Sequence, residues 1–356
     1  MRIPVVLLSG VAPDAMASAM VGLQFDLPGA VAVRHHIDVD RQVLTRTVSD
    51  VTGIIERHET LLEHACVSCA IREDIVPTLE RLARDGRWQS IVAHLPVSAE
   101  PAQVCSALTW DTRLARFLRV SAVVTALGSR HPVRDLLGDD LLADRGHHCS
   151  HDDRRGVGEV LCAMVEYADA LVFDDAADPV AVGLVRALAR PGTAIAEGGH
   201  VLDAAALLGG LHQDAHSRAW TSPTRTDALA DVRTEGIWRL DLQSLQPFHP
   251  ERLLESLELI GGGHHRSRGC FWLPTRPERA LEWDGAGGQL SIGDHAGWGS
   301  RRPFTRIVVT GVGVAPAGLR TSFADLLVAD DEAPRHGWDG AEDGFEPWLG
   351  PIRKVA

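Results

Sequence analysis

Ile3-Pro4-Val5-Val6-Leu7-Leu8-Ser9-Gly10 opens the chain with an apolar, β-branched run that stops at two small residues. A strand exposed on one face would alternate polar and apolar side chains. This one does not, so it reads as a parallel strand buried on both faces. Working outward, residues 11–23 are the expected following helix. Further strands are expected over residues 30–37, 90–95, 121–127 and 170–173. After Cys69, residues Ile71, Ile75, Leu79 and Leu82 recur at helical spacing. Strands alternating with helices predict an α/β fold around a doubly wound, mostly parallel sheet. The polar stretch 138–155 reads as an exposed loop within it.

Ser, Thr, Asp, Arg and Pro dominate residues 213–234, a linker composition. Strands are then expected over 237–242, 270–273, 280–283, 289–292 and 306–310, with helices over 249–260 and 319–328. That order predicts a smaller α+β unit with an antiparallel sheet. The expected organisation is a first domain at 1–212, a linker at 213–234, a second domain at 235–329 and an acidic, Trp-containing tail at 330–356.

With 356 residues, 45% of them hydrophobic, the chain has material for two cores. A net charge of −13 argues against direct nucleic-acid binding, which needs clustered Lys and Arg to neutralise phosphate. The opening apolar run is too short for a signal-peptide core, and no stretch approaches the length of a membrane span, so a cytoplasmic protein is expected. Six cysteines in a chain this long do not suggest a disulfide scaffold. Lys354 is the only lysine, and asparagine is absent.

Cys66-Val67-Ser68-Cys69 is the strongest chemical motif. Two thiolates at this spacing before a helix can share Zn²⁺, and His64 is the adjacent candidate for a further ligand, with His35, His36 or His94 to be supplied by the fold. The alternative is a pair of buried reduced cysteines. His147-His148-Cys149-Ser150-His151-Asp152-Asp153 and His264-His265 read as solvated polar loops before they read as cation sites. Trp272 and Trp283 read as core. No triad or paired carboxylate stands out, and no catalytic residue is assigned.

Three stretches together resemble the CobW family of P-loop GTPases and metal chaperones. They are Val6-Leu7-Leu8-Ser9-Gly10; Cys66-Val67-Ser68-Cys69-Ala70-Ile71-Arg72-Glu73-Asp74-Ile75; and Pro247-Phe248-His249-Pro250-Glu251-Arg252-Leu253 with Arg268-Gly269-Cys270-Phe271-Trp272-Leu273 and Gly287-Gly288. The resemblance implies a P-loop GTPase-like first domain and a CobW-type C-terminal domain.

The nucleotide signatures depart from the family pattern. After Gly10 the chain reads Val11-Ala12-Pro13-Asp14-Ala15-Met16-Ala17-Ser18, with Met16 in the lysine's place and Ser18 the one hydroxyl left. His94 replaces the carboxylate expected beside Mg²⁺. Asp174-Asp175-Ala176-Ala177 replaces the guanine-reading motif. GTP and Mg²⁺ are therefore not expected as cofactors, and the P-loop reads as degenerate. The resemblance extends to an actinobacterial branch that brings a hibernation factor to the ribosome when zinc is scarce. It implies a non-hydrolysing adaptor whose partners are that factor and the ribosome. Two alternatives stand beside it: a zinc metallochaperone serving zinc-requiring clients through Cys66 and Cys69, and a residual GTP-binding protein.

Overall fold

A computed structural model describes residues 2–198, 202–329, 332, 338 and 342–352. The chain divides into two compact units, Met1–Asp135 with Asp140–Thr221, and Leu136–Asp139 with Ser222–Ala356.

The first unit runs β1 (Ile3–Gly10), α1 (Pro13–Asp26), β2 (Ala30–Asp38), β3 (Val43–Asp50), β4 (Gly53–Leu61), α2 (Val67–Ala70), α3 (Val76–Asp85), β5 (Ser90–His94), α4 (Pro101–Trp110), β6 (Leu118–Leu127), α5 (Pro132–Leu137), α6 (Val157–Tyr167), β7 (Ala170–Phe173), α7 (Pro179–Leu188), β8 (Ala194–Glu197), α8 (Ala204–Gly209) and α9 (Asp214–Thr221). Its eight strands lie in the order β4-β3-β2-β5-β1-β6-β7-β8. From β2 to β8 the pairing is parallel, while β3 and β4 add an antiparallel hairpin at one edge. β1 is central and buried along its whole length. Its alternate residues feed two cores, Val5 and Leu7 on one face, Val6 and Leu8 on the other.

Expectation and structure differ in three places. The hairpin of β3 and β4 was not foreseen, because Thr45, Arg46 and Thr47 give it no apolar face that would set it apart from a loop. The helix α9 forms inside the stretch read as linker. The segment read as an exposed loop buries Leu142, Cys149 and Asp153.

The second unit adds β9 (Ile237–Ser244), α10 (Pro250–Glu255), α11 (Glu258–Gly261), β10 (His265–Phe271), β11 (Arg279–Ala286), β12 (Gln289–Gly297), β13 (Thr305–Val312), α12 (Leu319–Leu326) and α13 (Glu346–Leu349). Its five strands form an antiparallel sheet in the order β12-β11-β10-β13-β9. The helix expected over 249–260 breaks at Ser256 into α10 and α11. Phe248, Phe271, Trp283 and Phe323 fill the core, and Trp283 donates to Ser267 Oγ at 3.0 Å. At Gly269 the backbone of β13 passes so near that a Cβ would meet Arg306 O at 1.8 Å, which only glycine tolerates. In the tail Phe345, not a tryptophan, is the fully buried ring; Trp348 stays half exposed.

Candidate functional site

Two places in the first unit hold the residues singled out in the sequence. One is the crevice at the carboxyl ends of β1, β5 and β6, where an open parallel sheet offers a ligand site. Only Val11 and Ala12 separate β1 from α1, whereas a phosphate cradle needs a longer, glycine-hinged loop to turn its amides inward. Pro13 begins the helix without an N–H, and Asp14 adds a negative charge to its first turn. Met16 is fully buried in the core with Leu8, Ala15, Ala19 and Val124. It lies so close to the strand end that a Cβ on Gly10 would meet its Cγ at 2.9 Å and its Sδ at 3.3 Å. Gly10 and Met16 are thus brought together, by apolar packing, while Ser18 lies exposed on α1.

His94 closes β5 beside Leu8. Its Nδ1 donates to Leu95 O at 2.8 Å, and its buried Nε2 has no hydrogen-bond partner among the described residues. Burial, with the charge of Arg34 adding, brings its pKa down to about 4. The ring is therefore neutral at pH 7, and Nε2 carries a lone pair. Asp174 spends Oδ1 on the Ser129 N–H at 2.8 Å.

The loop after His94 is firmly held. Ser98 sits at φ +63°, a left-handed conformation that costs a non-glycine residue about 1–3 kcal/mol. Its N–H donates to Gly10 O at 2.9 Å, and its Oγ donates to His147 O at 2.6 Å. Cys149 Sγ donates to Val97 O at 3.3 Å, and Arg155 joins Glu100 and Asp153 at 2.8 Å each. The His147–His148–Cys149 stretch is therefore a clasp on this loop, and burial pushes the Cys149 thiol up.

The second place is the start of α2. Cys66 is its N-cap, with Sγ accepting the Cys69 N–H at 3.3 Å. A hydrogen bond with Cys66, then burial, pushes the Cys69 thiol above its ordinary value, while Arg72 pulls the other way. A metal binding both sulfurs would have to displace the Cys69 proton. His64 offers its carbonyl to the Cys66 N–H at 2.8 Å, and its side chain is exposed.

Between α2 and α3 lies a single π turn, Ile71–Ile75, closed by the Val76 N–H on Ile71 O. Such turns are frequent at functional sites. This one sets Asp74 in a buried network that sequence reading missed. His35 Nε2 donates to Asp74 Oδ1 at 2.9 Å, Arg46 pairs with the other carboxylate oxygen, and Thr78 donates at 3.1 Å. Burial raises the Asp74 carboxyl, but the His35 bond and the Arg46 charge outweigh it and hold the pKa below its usual value. Burial lowers His35 against the pull of Asp74. The neutral ring donates its Nε2–H to the ionised Asp74, and its buried Nδ1 has no hydrogen-bond partner among the described residues.

Strand alternation separates the candidate ligands. His35 lies on the face of Val33 and Cys69, His94 on the face of Leu8, and His36 is exposed. Among the described residues no group of three or more His, Cys, Asp or Glu is arranged to hold a metal, and no helix is long and apolar enough to cross a membrane.

Comparison with known proteins follows the two units. The CobW/HypB/UreG nucleotide-binding domain matches residues 33–187, beginning after Gly10, Met16 and Ser18, and the cobalamin synthesis protein cobW C-terminal domain matches 237–327. The chain is 29% identical to "Zinc chaperone Rv0106" of Mycobacterium tuberculosis (strain ATCC 25618 / H37Rv), over 98% of its length and 94% of that protein. It is 21% identical to "Zinc-regulated GTPase metalloprotein activator 1" of Dictyostelium discoideum, over 71% of its length and 56% of that protein. A Zn(II)-bound YjiA GTPase from E. coli aligns over 92% of the chain and 100% of its own, at 15% identity and a TM-score of 0.37.

Proposed function

The chain belongs to the CobW/HypB/UreG family and carries the family's CobW C-terminal domain, and from that premise we propose that it handles Zn²⁺ as cargo through Cys66 and Cys69, without binding or turning over GTP. The thiol pair carries this reading. Two sulfur donors stand together at a helix start, one enclosed and one half-buried, with no third ligand arranged beside them among the described residues. A structural zinc site needs four closed positions. A two-thiol site leaves positions for a client's own ligands, which suits transfer better than storage. Similarity to a protein named a zinc chaperone supports the same direction. The buried Met16 and the two-residue connection after β1 support the loss of nucleotide handling.

The test is chelator competition with the full chain. One Zn²⁺ per chain is expected, lost in Cys66→Ser and in Cys69→Ser, with no heat on titrating GTP and Mg²⁺. Zinc binding that survives both substitutions, or micromolar GTP affinity, would sink the reading.

A second reading is an adaptor that recruits a ribosome hibernation factor under zinc limitation. One observation favours it: the clasp of Ser98, Cys149 and Arg155 fastens its loop through the chain's own side chains. Affinity purification from zinc-starved cells separates the two, with ribosomes and that factor expected for the adaptor and zinc enzymes for the chaperone.

A further inference from the structure

β4 is the outermost strand of the first unit's sheet, paired with β3 on one side only among the described residues. It is nine residues long, and its side chains are mostly exposed, with Ile54 at 72% and Leu61 at 74%. Natural sheets usually blunt or cover an edge like this, because its free N–H and C=O groups invite another strand.

The sequence of β4, Gly53-Ile54-Ile55-Glu56-Arg57-His58-Glu59-Thr60-Leu61, complements itself when it runs antiparallel to a copy. With His58 opposite His58, Arg57 faces Glu59 and, by symmetry, Glu59 faces Arg57. Glu56 faces Thr60, and Ile55 faces Leu61 at each end. Two-fold pairing lets only residues of like parity oppose each other. The next register one way puts Arg57 against Arg57, and the other way Glu59 against Glu59, both repulsive. Charge therefore selects one register. The bulge that drops Ile55 from the pairing with β3 leaves the strand regular from Glu56 onward.

The two faces of β4 are not equivalent. Glu56 and Thr60 already engage Arg46, Arg81 and Asp74. On the other face Glu59 has, among the described residues, only an exposed ion pair with Arg41 at 3.5 Å, so Ile55, Arg57, Glu59 and Leu61 stand open to a partner. We propose that two copies of the chain associate through β4, antiparallel about a two-fold axis at His58, joining their sheets into one.

Light scattering of the full chain over a wide concentration range tests this. The wild type is expected at twice the chain mass. Arg57→Glu places glutamates opposite each other twice and should weaken association at least about tenfold. Because Arg57 is exposed, the variant should keep the wild type's fold, read as an unchanged far-UV circular dichroism spectrum. Arg57→Glu/Glu59→Arg is again self-complementary and should recover the dimer. A wild type that stays monomeric overturns the proposal, even if another protein then protects the β4 amides from exchange. So does a dimer indifferent to Arg57→Glu, or a double variant that fails to recover.

Discussion

Met16→Lys would return an amine to the start of α1, and its effect is set by where Met16 lies. The side chain is fully buried among Leu8, Ala15, Ala19 and Val124. Removing that apolar packing costs about 1.5–3 kcal/mol. Enclosing an ammonium there depresses its pKa by up to about 3–5 units, which costs about 4–5 kcal/mol at pH 7, where the neutral amine already takes over. Partial escape of the amine toward solvent reduces the total, so a loss of about 4 kcal/mol or more is expected. Met16→Leu, which keeps volume and apolarity, should lose less than about 1.5 kcal/mol. Urea unfolding followed by tryptophan fluorescence measures both. The sign with pH is a further check. The folded lysine has a lower pKa than the unfolded one, so the unfolded chain binds more protons above neutrality. Raising pH toward the unfolded lysine's value of about 10.4 should then restore part of the loss. If Met16→Lys folds with wild-type stability and gains GTP binding, the core assignment of Met16 is wrong and the crevice is a nucleotide site lacking one residue.

His94 should make the chain acid-sensitive. Its folded pKa of about 4 lies below the ordinary 6.5, so its contribution is complete above that value and declines as pH falls, by about 3 kcal/mol in all. His94→Gln should flatten that part of the stability profile in urea titrations between those limits; an unchanged slope would show that His94 is not the titrating group. Arg46→Ala should cost about 3–5 kcal/mol by leaving Asp74 buried without its cation. Thermal unfolding at pH 7 measures this, and a loss below about 1 kcal/mol would mean that His35 and Thr78 hold the carboxylate unaided.

The parallel sheet was readable because its strands carry unbroken apolar runs, Ile3 to Leu8 and Ala170 to Phe173 above all. The hairpin of β3 and β4 was not, since an edge strand with polar residues on both faces has no period to detect. At the site, the pairing of Cys66 with Cys69 could be read from their spacing, because three residues are one helical turn. The joining of His35, Arg46 and Asp74 could not, because strand pairing and a π turn bring together residues far apart in the chain. The separation of His35 from His94 follows from strand parity, once the register of β2 against β5 is known: Arg34, not His35, lies beside His94.

The π turn at Ile71–Ile75 also fixes a direction. It holds one residue more than regular α-helix would, and one residue corresponds to a rotation of about 100° about the axis. Leu79 and Leu82 anchor α3 to the sheet. The heading of the two thiols relative to that anchor is therefore set by counting residues, with no side chain acting as a stop. Shortening the stretch by one would leave both sulfurs in the chain and swing them to another side of the rod.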